Sequence, residues 1–356
     1  MHNAKQPKYG NQKMKWIVKE IHGAFYTLLS EDLTQERLAV LRGKHRLIRE
    51  IHTSGIRFRN PISVGDRVIV DESADPMPIE SVETRKNSLF RSSPDEIQIL
   101  GSNVDQALLV VSVKTPPLRP GFIDRFLLSA NFESIPVWIF FNKSDLLDFN
   151  SEISDPKSDW QVLSLIEMYQ RLGISCFCDS LTGTKNQSDH IKFAGLTELK
   201  ASLSGTTLVV GPSGAGKSTL INHILPSFSQ KTTAISKASG KGKHTTTSSH
   251  MFRLASDSTN FLIDTPGIKE WGVAHLTKKQ ILETTIELSA GFEHCQFRNC
   301  EHEASSEGCG IQQLINSNVL SSSRRKSLDL ILEERHDRIR PGDYKKPTGR
   351  LRCKDN

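Results

Sequence analysis

The octapeptide Gly211-Pro212-Ser213-Gly214-Ala215-Gly216-Lys217-Ser218 constrains this chain more than any other feature. It has the form G-x-x-x-x-G-K-S, follows the apolar run 207–210, and precedes Thr219-Leu220-Ile221-Asn222, which reads as the start of a helix. A strand, a glycine-rich loop and a helix in that order make a phosphate cradle. The loop's backbone N–H groups curl around an anion and the helix N-terminus adds its partial positive charge. Lys217 is expected to reach the β- and γ-phosphates of a nucleotide, and Ser218 to bind Mg²⁺. Such a loop requires an α/β layer, and the short β-branched or aromatic runs at 106–113, 136–141, 174–177 and 260–263 supply the buried parallel strands for one.

A phosphate loop alone does not choose between ATP and GTP. Asn142-Lys143-Ser144-Asp145 makes the choice, because it follows the strand-like run ending at Phe141 and has the N-K-x-D form of a guanine-specificity loop. A carboxylate at Asp145 accepts from both N1–H and the exocyclic amine of guanine, a donor pair that adenine lacks, and Asn142 is placed for the ring edge. Asp264-Thr265-Pro266-Gly267 lies 46 residues beyond Ser218, again at the end of an apolar run. In a D-x-x-G role Asp264 would hold Mg²⁺ through water and Gly267 would offer its N–H to the γ-phosphate. The expected nucleotide-binding set therefore runs from Gly211 to Thr219 and adds Asn142, Lys143, Asp145, Asp264 and Gly267.

At ~150 residues per domain the 356 residues suggest two or three domains in all. Residues 1–100 hold short strand-like stretches such as 25–29 and 66–70, separated by turn signals, and read as a small β-barrel behind a basic N-terminal extension. Residues 101–290 carry the α/β pattern. Residues 291–356 carry a Cys/His cluster, flanked by helical stretches at 274–290 and 311–335, and end in a segment with eight Lys/Arg against three Asp. The net charge of +6 is modest, but the basic residues concentrate in Arg42, Lys44, Arg46, Arg49, Arg57 and Arg59, in Lys231, Lys237, Lys241 and Lys243, and in that tail. No apolar run approaches the ~18 residues of a membrane span, and no signal-like segment opens the chain. A cytoplasmic protein with reduced cysteines and no membrane partner is expected.

Cys295, Cys300, His302 and Cys309 give C-x4-C-x-H-x6-C, a donor set suited to a closed tetrahedral structural Zn²⁺ site; His294 is the alternative nitrogen donor. Cys176 and Cys178, a C-x-C pair on a strand, read as core packing.

In this chain Asn142 precedes Gly211, the reverse of the order in small GTPases, so the domain reads as circularly permuted, a rearrangement that surface-exposed domain termini tolerate. With Arg85-Lys86-Asn87-Ser88-Leu89-Phe90-Arg91, Asn103-Val104-Asp105-Gln106, Lys243-His244-Thr245-Thr246-Thr247 and the cysteine cluster, the sequence resembles the RsgA (YjeQ) family of ribosome small-subunit-dependent GTPases over nearly its whole length. The resemblance implies an N-terminal OB-fold barrel, a permuted GTPase with motif order G4-G5-G1-G2-G3, and a zinc-binding helical module. It makes Thr246 the switch threonine on Mg²⁺ and places the backbone N–H of Ser180 against the guanine O6, although Asp179 and Leu181 depart from the family's loop there. The gap before Cys309 is one residue longer than is usual in the family, so the loop 303–308 is expected to bulge. Many GTPases use a glutamine directly after D-x-x-G to orient water; here the position is Ile268, so intrinsic hydrolysis should be slow. His244 is the candidate to polarise the attacking water in its place.

The expectation is a monomeric GTP hydrolase, cycling between GTP and GDP with Mg²⁺, that acts late in small-subunit maturation and binds the subunit's rRNA. Two alternatives stand beside it: an RNA-binding module with a passively bound guanine nucleotide, and a P-loop kinase, which Asn142 and Asp145 disfavour.

Overall fold

A computed structural model of the protein describes residues 15–41, 57–58, 62–93, 96–149, 156–182, 193–225, 249–255 and 258–334. The basic N-terminal extension, the side chains of 42–59, the segment with His244 and Thr246, and the tail 335–356 lie outside the described residues.

The chain opens with strands β1 (Lys15–His22), β2 (Phe25–Ser30) and β3 (Glu36–Leu41), and continues past the two-residue β4 (Arg57–Phe58) to β5 (Arg67–Val70) and β6 (Met77–Val82). In β1, Trp16 and Val18 are buried while Lys15 and Lys19 point outward, the two-residue period of a strand with one face on a core. The ladder runs β1-β2-β3-β6-β5 and returns to β1 through Lys15↔Ile69, with only β3 and β6 parallel. This closed five-stranded, OB-like barrel bears out the expected N-terminal fold, and closure removes the free edges. Its interior is filled by Trp16, Val18, Leu28, Val68, Met77 and Ile79 among others.

Strands β7 (Ser88–Ser93) and β8 (Glu96–Ser102) form a hairpin, with β4 alongside β8 in parallel. In the sequence this segment reads only as a linker, because Arg91, Ser92 and Ser93 dilute the apolar signal of Leu89, Phe90, Ile97 and Ile99, all of them buried.

The central sheet consists of β9 (Gln106–Ser112), β10 (Val137–Asn142), β11 (Ser175–Asp179), β12 (Thr206–Val210), β13 (His250–Arg253) and β14 (Phe261–Asp264), in the order β11-β10-β9-β12-β14-β13. The first five are parallel and β13 is an antiparallel edge. Every residue of β9 is buried, as a central strand covered on both faces requires. Helices α1 (Pro120–Phe132), α2 (Pro156–Arg171), α3 (Leu196–Ser202) and α4 (Lys217–Ile224) connect these strands. The edge strand β13 meets β1 of the barrel at Glu20↔His250, so the barrel and the α/β sheet form one continuous eleven-stranded sheet.

The C-terminal unit is built from α5 (Lys278–Thr284), α6 (Ile286–Phe292), α7 (Gly310–Asn316) and α8 (Ser322–Glu333). The two helical stretches expected at 274–290 and 311–335 are each broken. Thr285 takes an extended conformation (φ −68°, ψ 120°) and ends α5 as it starts α6, with its hydroxyl donating to Ile281 O at 2.8 Å. Ser321 starts α8 by accepting from Arg324 N. Arg324 then joins three elements: it donates to Asp124 of α1 at 2.6 Å and to both carboxylate oxygens of Glu287 at 2.8 and 2.7 Å, while Tyr169 of α2 donates to Asp124 at 2.8 Å. No helix among the described residues is long and apolar enough to cross a membrane.

Candidate nucleotide and metal sites

Strand β10 ends at Asn142, β11 at Asp179, β12 at Val210 and β14 at Asp264, so the N-K-x-D, Asp179–Ser180, phosphate-loop and D-x-x-G motifs all lie at the carboxyl edge of one parallel sheet. That edge is where open α/β sheets bind ligands. Chain order is irrelevant to this convergence, which is why a permuted sequence still assembles the site.

The phosphate loop leaves β12 and enters α4 at Lys217. Gly216 sits at φ +99°, and a Cβ there would lie 2.0 Å from Asn142 Nδ2, so only glycine allows the base-side loop to touch the phosphate loop. Asn142 uses that approach, donating from Nδ2 to Ala215 O at 2.8 Å. Lys143 stretches over the same loop and donates to Gly214 O at 2.9 Å and to Thr115 O. The two residues thereby tie the Asn142–Asp145 loop to the Gly211–Ser218 loop, a contact that the motif spacing does not reveal.

Asp145 is exposed in the short turn Ser144–Leu146, where its carboxylate accepts from Ser180 Oγ at 2.5 Å. The N–H of Ser180 donates to Asp179 Oδ1 at 2.8 Å, and the other Asp179 oxygen accepts from Leu196 N at 2.9 Å. The unusual Asp179 therefore braces the loop against the start of α3. The expected guanine-O6 donor, the N–H of Ser180, is thus engaged by this carboxylate.

On the phosphate side, Lys217 Nζ forms an ion pair with Asp264, both residues being buried. Burial pushes the Asp264 carboxyl above its ordinary value, and the Lys217 ammonium opposes that shift. Ser218 is exposed at the first turn of α4 and Thr219 is half-buried beside it. Gly267 packs against Ser213, and the following N–H, that of Ile268, donates to Gly211 O at 3.1 Å. The Ile268 side chain is 1% exposed. Three residues on, Trp271 is buried against Phe122 and Phe126 and donates to Ser129 Oγ at 2.8 Å, so the segment after D-x-x-G is anchored on α1. A cavity of about 340 Å³ opens beside the loop, between Pro212, Ser213, Ile268 and Arg119.

The linker residues interlock with one another. Arg85 donates to both carboxylate oxygens of the buried Asp66 at 2.7 Å, Asn87 exchanges two hydrogen bonds with the backbone of Val104, and Asn103 Nδ2 donates to Gly65 O at 2.9 Å. These motif residues join the barrel to the α/β sheet and lie away from the nucleotide edge.

In the C-terminal unit the ligand atoms of Cys295, Cys300, His302 and Cys309 lie within 4.8 Å of one another. Sγ of Cys295 and Nδ1 of His302 are 3.6 Å apart, and Nδ1 is 3.4 Å from Sγ of Cys309. Such separations suit four donors around one tetrahedral Zn²⁺, at metal–ligand distances of about 2.0–2.3 Å. The longer loop is absorbed at Gly308, which takes φ +65°, with Gln296 N donating to Gly308 O at 2.9 Å. His302 is buried and its Nε2 lies 3.1 Å from Glu283 of α5, whereas His294 is exposed and outside the cluster. A carboxylate on Nε2 leaves Nδ1 free for a metal. Glu283 carries no sequence signal, since it precedes the first cysteine by twelve residues. Cys176 and Cys178 are buried on β11, with burial pushing both thiols up to about 12, which makes them poor metal ligands and nucleophiles.

Comparison with known proteins follows the same lines. The family model described as RsgA GTPase matches residues 82–274. The small ribosomal subunit biogenesis GTPase RsgA of Azobacteroides pseudotrichonymphae is 35% identical over 326 residues, covering 90% of this chain and 97% of that protein. The protein of the same name from Flavobacterium johnsoniae is 34% identical over 341 residues, covering 93% and 96%. Among solved structures, YjeQ from Thermotoga maritima aligns with a TM-score of 0.61 at 27% identity, over 90% of this chain and 97% of that one. YloQ, described as a circularly permuted GTPase, aligns at 0.60 over 94% and 100%, and at 22% identity it speaks for the fold alone. On the matched core and on relatives a third identical over nine-tenths of its length, this chain belongs to the RsgA GTPase family.

Proposed function

We propose that this protein hydrolyses GTP to GDP and phosphate on the small ribosomal subunit, acts late in that subunit's maturation, and leaves after hydrolysis. The observation that carries the reading is the convergence of Asn142, Lys143, Asp145 and Ser180 with the phosphate loop and Asp264 at one sheet edge. In this role Asp145 accepts from the guanine amine and N1–H, and Asn142 contacts the ring edge while holding the phosphate loop. Residues 211–219 cradle the phosphates through backbone N–H groups. Lys217 exchanges Asp264 for the β- and γ-phosphates, and Asp264, so released, would help hold Mg²⁺ through water. Ser218 and Thr246 would hold Mg²⁺, which when bound neutralises charge developing on the phosphate oxygens. Gly267 offers its N–H to the γ-phosphate.

Ile268 is packed inward and has no group to orient water, so the positioning falls to another residue, for which His244 is our choice. Its segment is rich in lysine and so suited to meeting RNA phosphates, and the subunit's rRNA acts as the activator. The basic residues from Arg42 to Arg59, which follow β3 in the sequence, add rRNA contacts, and the protein works as a cytoplasmic monomer. Cys295, Cys300, His302 and Cys309 hold one structural Zn²⁺, with no open coordination position for chemistry.

The test is GTP turnover with and without purified small subunits, at low and moderate salt. Strong stimulation that fades as salt rises is expected. Equal rates with and without subunits would favour the passive-nucleotide alternative. His244→Ala should abolish stimulated single turnover while leaving GTP affinity intact.

A further inference from the structure

Among the described residues, two of the contacts that tie the barrel to the GTPase adjoin the nucleotide motifs. The first is β1 against β13. Glu20 pairs in register with His250, its Oε1 lying 3.8 Å from His250 Nδ1, while its Oε2 lies 2.9 Å from Nε2 of His22. His250 begins the strand that leaves the segment containing His244 and Thr246. On its other side, His250 is in register with Asp264 of the D-x-x-G motif. One residue thus meets the barrel through its side chain and the magnesium-side aspartate through the β-ladder.

The second contact is the linker hairpin. Arg85 at its start grips Asp66 of the barrel with two 2.7 Å hydrogen bonds. Ser92 at its far end meets the segment just beyond D-x-x-G. Its N–H donates to Gly272 O at 3.2 Å, its hydroxyl lies 2.8 Å from His275 Nδ1, and it accepts from His275 N at 3.2 Å. Ser92 and His275 are 4% and 1% exposed. Hydrogen bonds this deeply buried are not readily exchanged for water, so the linker and the post-D-x-x-G segment move as one piece.

We propose that Glu20 and Ser92 are positioning residues that couple the barrel to β13 and to the segment after D-x-x-G, so that RNA on the barrel and nucleotide at the sheet edge bias one another. This rests on the function proposed above, with the barrel as an rRNA-binding unit. A rearrangement at Asp264 or Gly267 on exchange of GDP for GTP is carried through His250 to β1 and through Gly272 and His275 to the linker. By linkage, the factor by which GTP changes affinity for the subunit equals the factor by which the subunit changes affinity for GTP. Such couplings are on the order of 5–150-fold.

The experiment measures small-subunit affinity of the full-length protein with a non-hydrolysable GTP analogue and with GDP, together with nucleotide affinity in the absence of subunits. The unmodified chain, Glu20→Gln, Ser92→Ala and Ser92→Thr are compared. Expected is a several-fold fall in the GTP-analogue/GDP affinity ratio for Glu20→Gln and Ser92→Ala, with subunit-free nucleotide affinity changed less than about twofold, and recovery in Ser92→Thr, which keeps the hydroxyl. An unchanged ratio in Glu20→Gln and Ser92→Ala overturns the proposal. So does a parallel loss of subunit-free nucleotide affinity, which would reduce both residues to structural supports. Should Ser92→Ala fail to fold, Glu20→Gln at its half-buried site decides the matter alone. Failure of the underlying function looks different, since the unmodified chain would then show neither stimulation nor nucleotide-dependent binding.

Discussion

Asp145 and Glu283 mark two ends of what single residues disclose. Asp145 is legible in the sequence because guanine recognition needs one carboxylate at a fixed offset from Asn142, and loop geometry stores that offset locally. Replacing it with alanine removes two hydrogen bonds to a charged acceptor, about 3 kcal/mol together, so GTP affinity should fall on the order of a hundredfold in a fluorescent-nucleotide titration. Glu283 is illegible because its partnership with His302 spans two helices and a loop. Glu283→Gln should weaken Zn²⁺ binding about 10–100-fold, read by competition with a chelator, because the imidazole loses the carboxylate that orients it. An unchanged affinity would remove Glu283 from the site. Ser180 lies between these ends: its place in the loop is legible, but the engagement of its N–H by Asp179 is visible only in three dimensions.

At the scale of elements, the short apolar strands and the glycine-rich loop carried the local signals well. The phosphate loop, β12 and α4 appear where the strand, glycine loop and helix pattern puts them. The helical stretches at 274–290 and 311–335 are divided because Thr285 and Ser321 use their hydroxyls as caps, a choice that amphipathic periodicity does not register. The pair α6 and α7 cross so closely that a Cβ on Gly310 would fall 2.2 Å from Gly291 O. Gly310→Ala should therefore destabilise this unit by about 1–3 kcal/mol, and chemical denaturation of the metal-loaded protein is the measurement. Wild-type stability in that variant would show that α7 can slide.

For the whole molecule, the decisive contacts are ionic and buried or half-buried, and they join units. Arg324→Ala strands Asp124 and Glu287 between α1 and α6, and a loss of about 3–5 kcal/mol in unfolding free energy is expected. The barrel-to-sheet contact carries a pH signature. His250 and then His22 hold the Glu20 carboxyl down at about 2 against an ordinary 4.5, with burial opposing them. Because the folded value is depressed, this stabilisation is fully present above pH 4.5 and is lost as the pH falls toward 2. Glu20→Gln should flatten the acid side of the thermal-midpoint profile over that window. An equally steep profile in the variant would assign the acid sensitivity to other groups.

The sequence by itself laid out the motif of each loop: the G-x-x-x-x-G-K-S turn, the N-K-x-D tetrapeptide, the D-x-x-G turn and the Cys₃His donor set. Each is written in a window of a few residues whose spacing local backbone geometry enforces. Tertiary structure decided which loops share an edge, how Asn142 and Lys143 lock the phosphate loop, that β1 closes on β5, and that the barrel meets β13 and the post-D-x-x-G segment. Those outcomes depend on strand neighbours and buried partners tens to hundreds of residues apart. Such partners are chosen by packing, closure and charge burial over the assembled whole, and no local window carries that information.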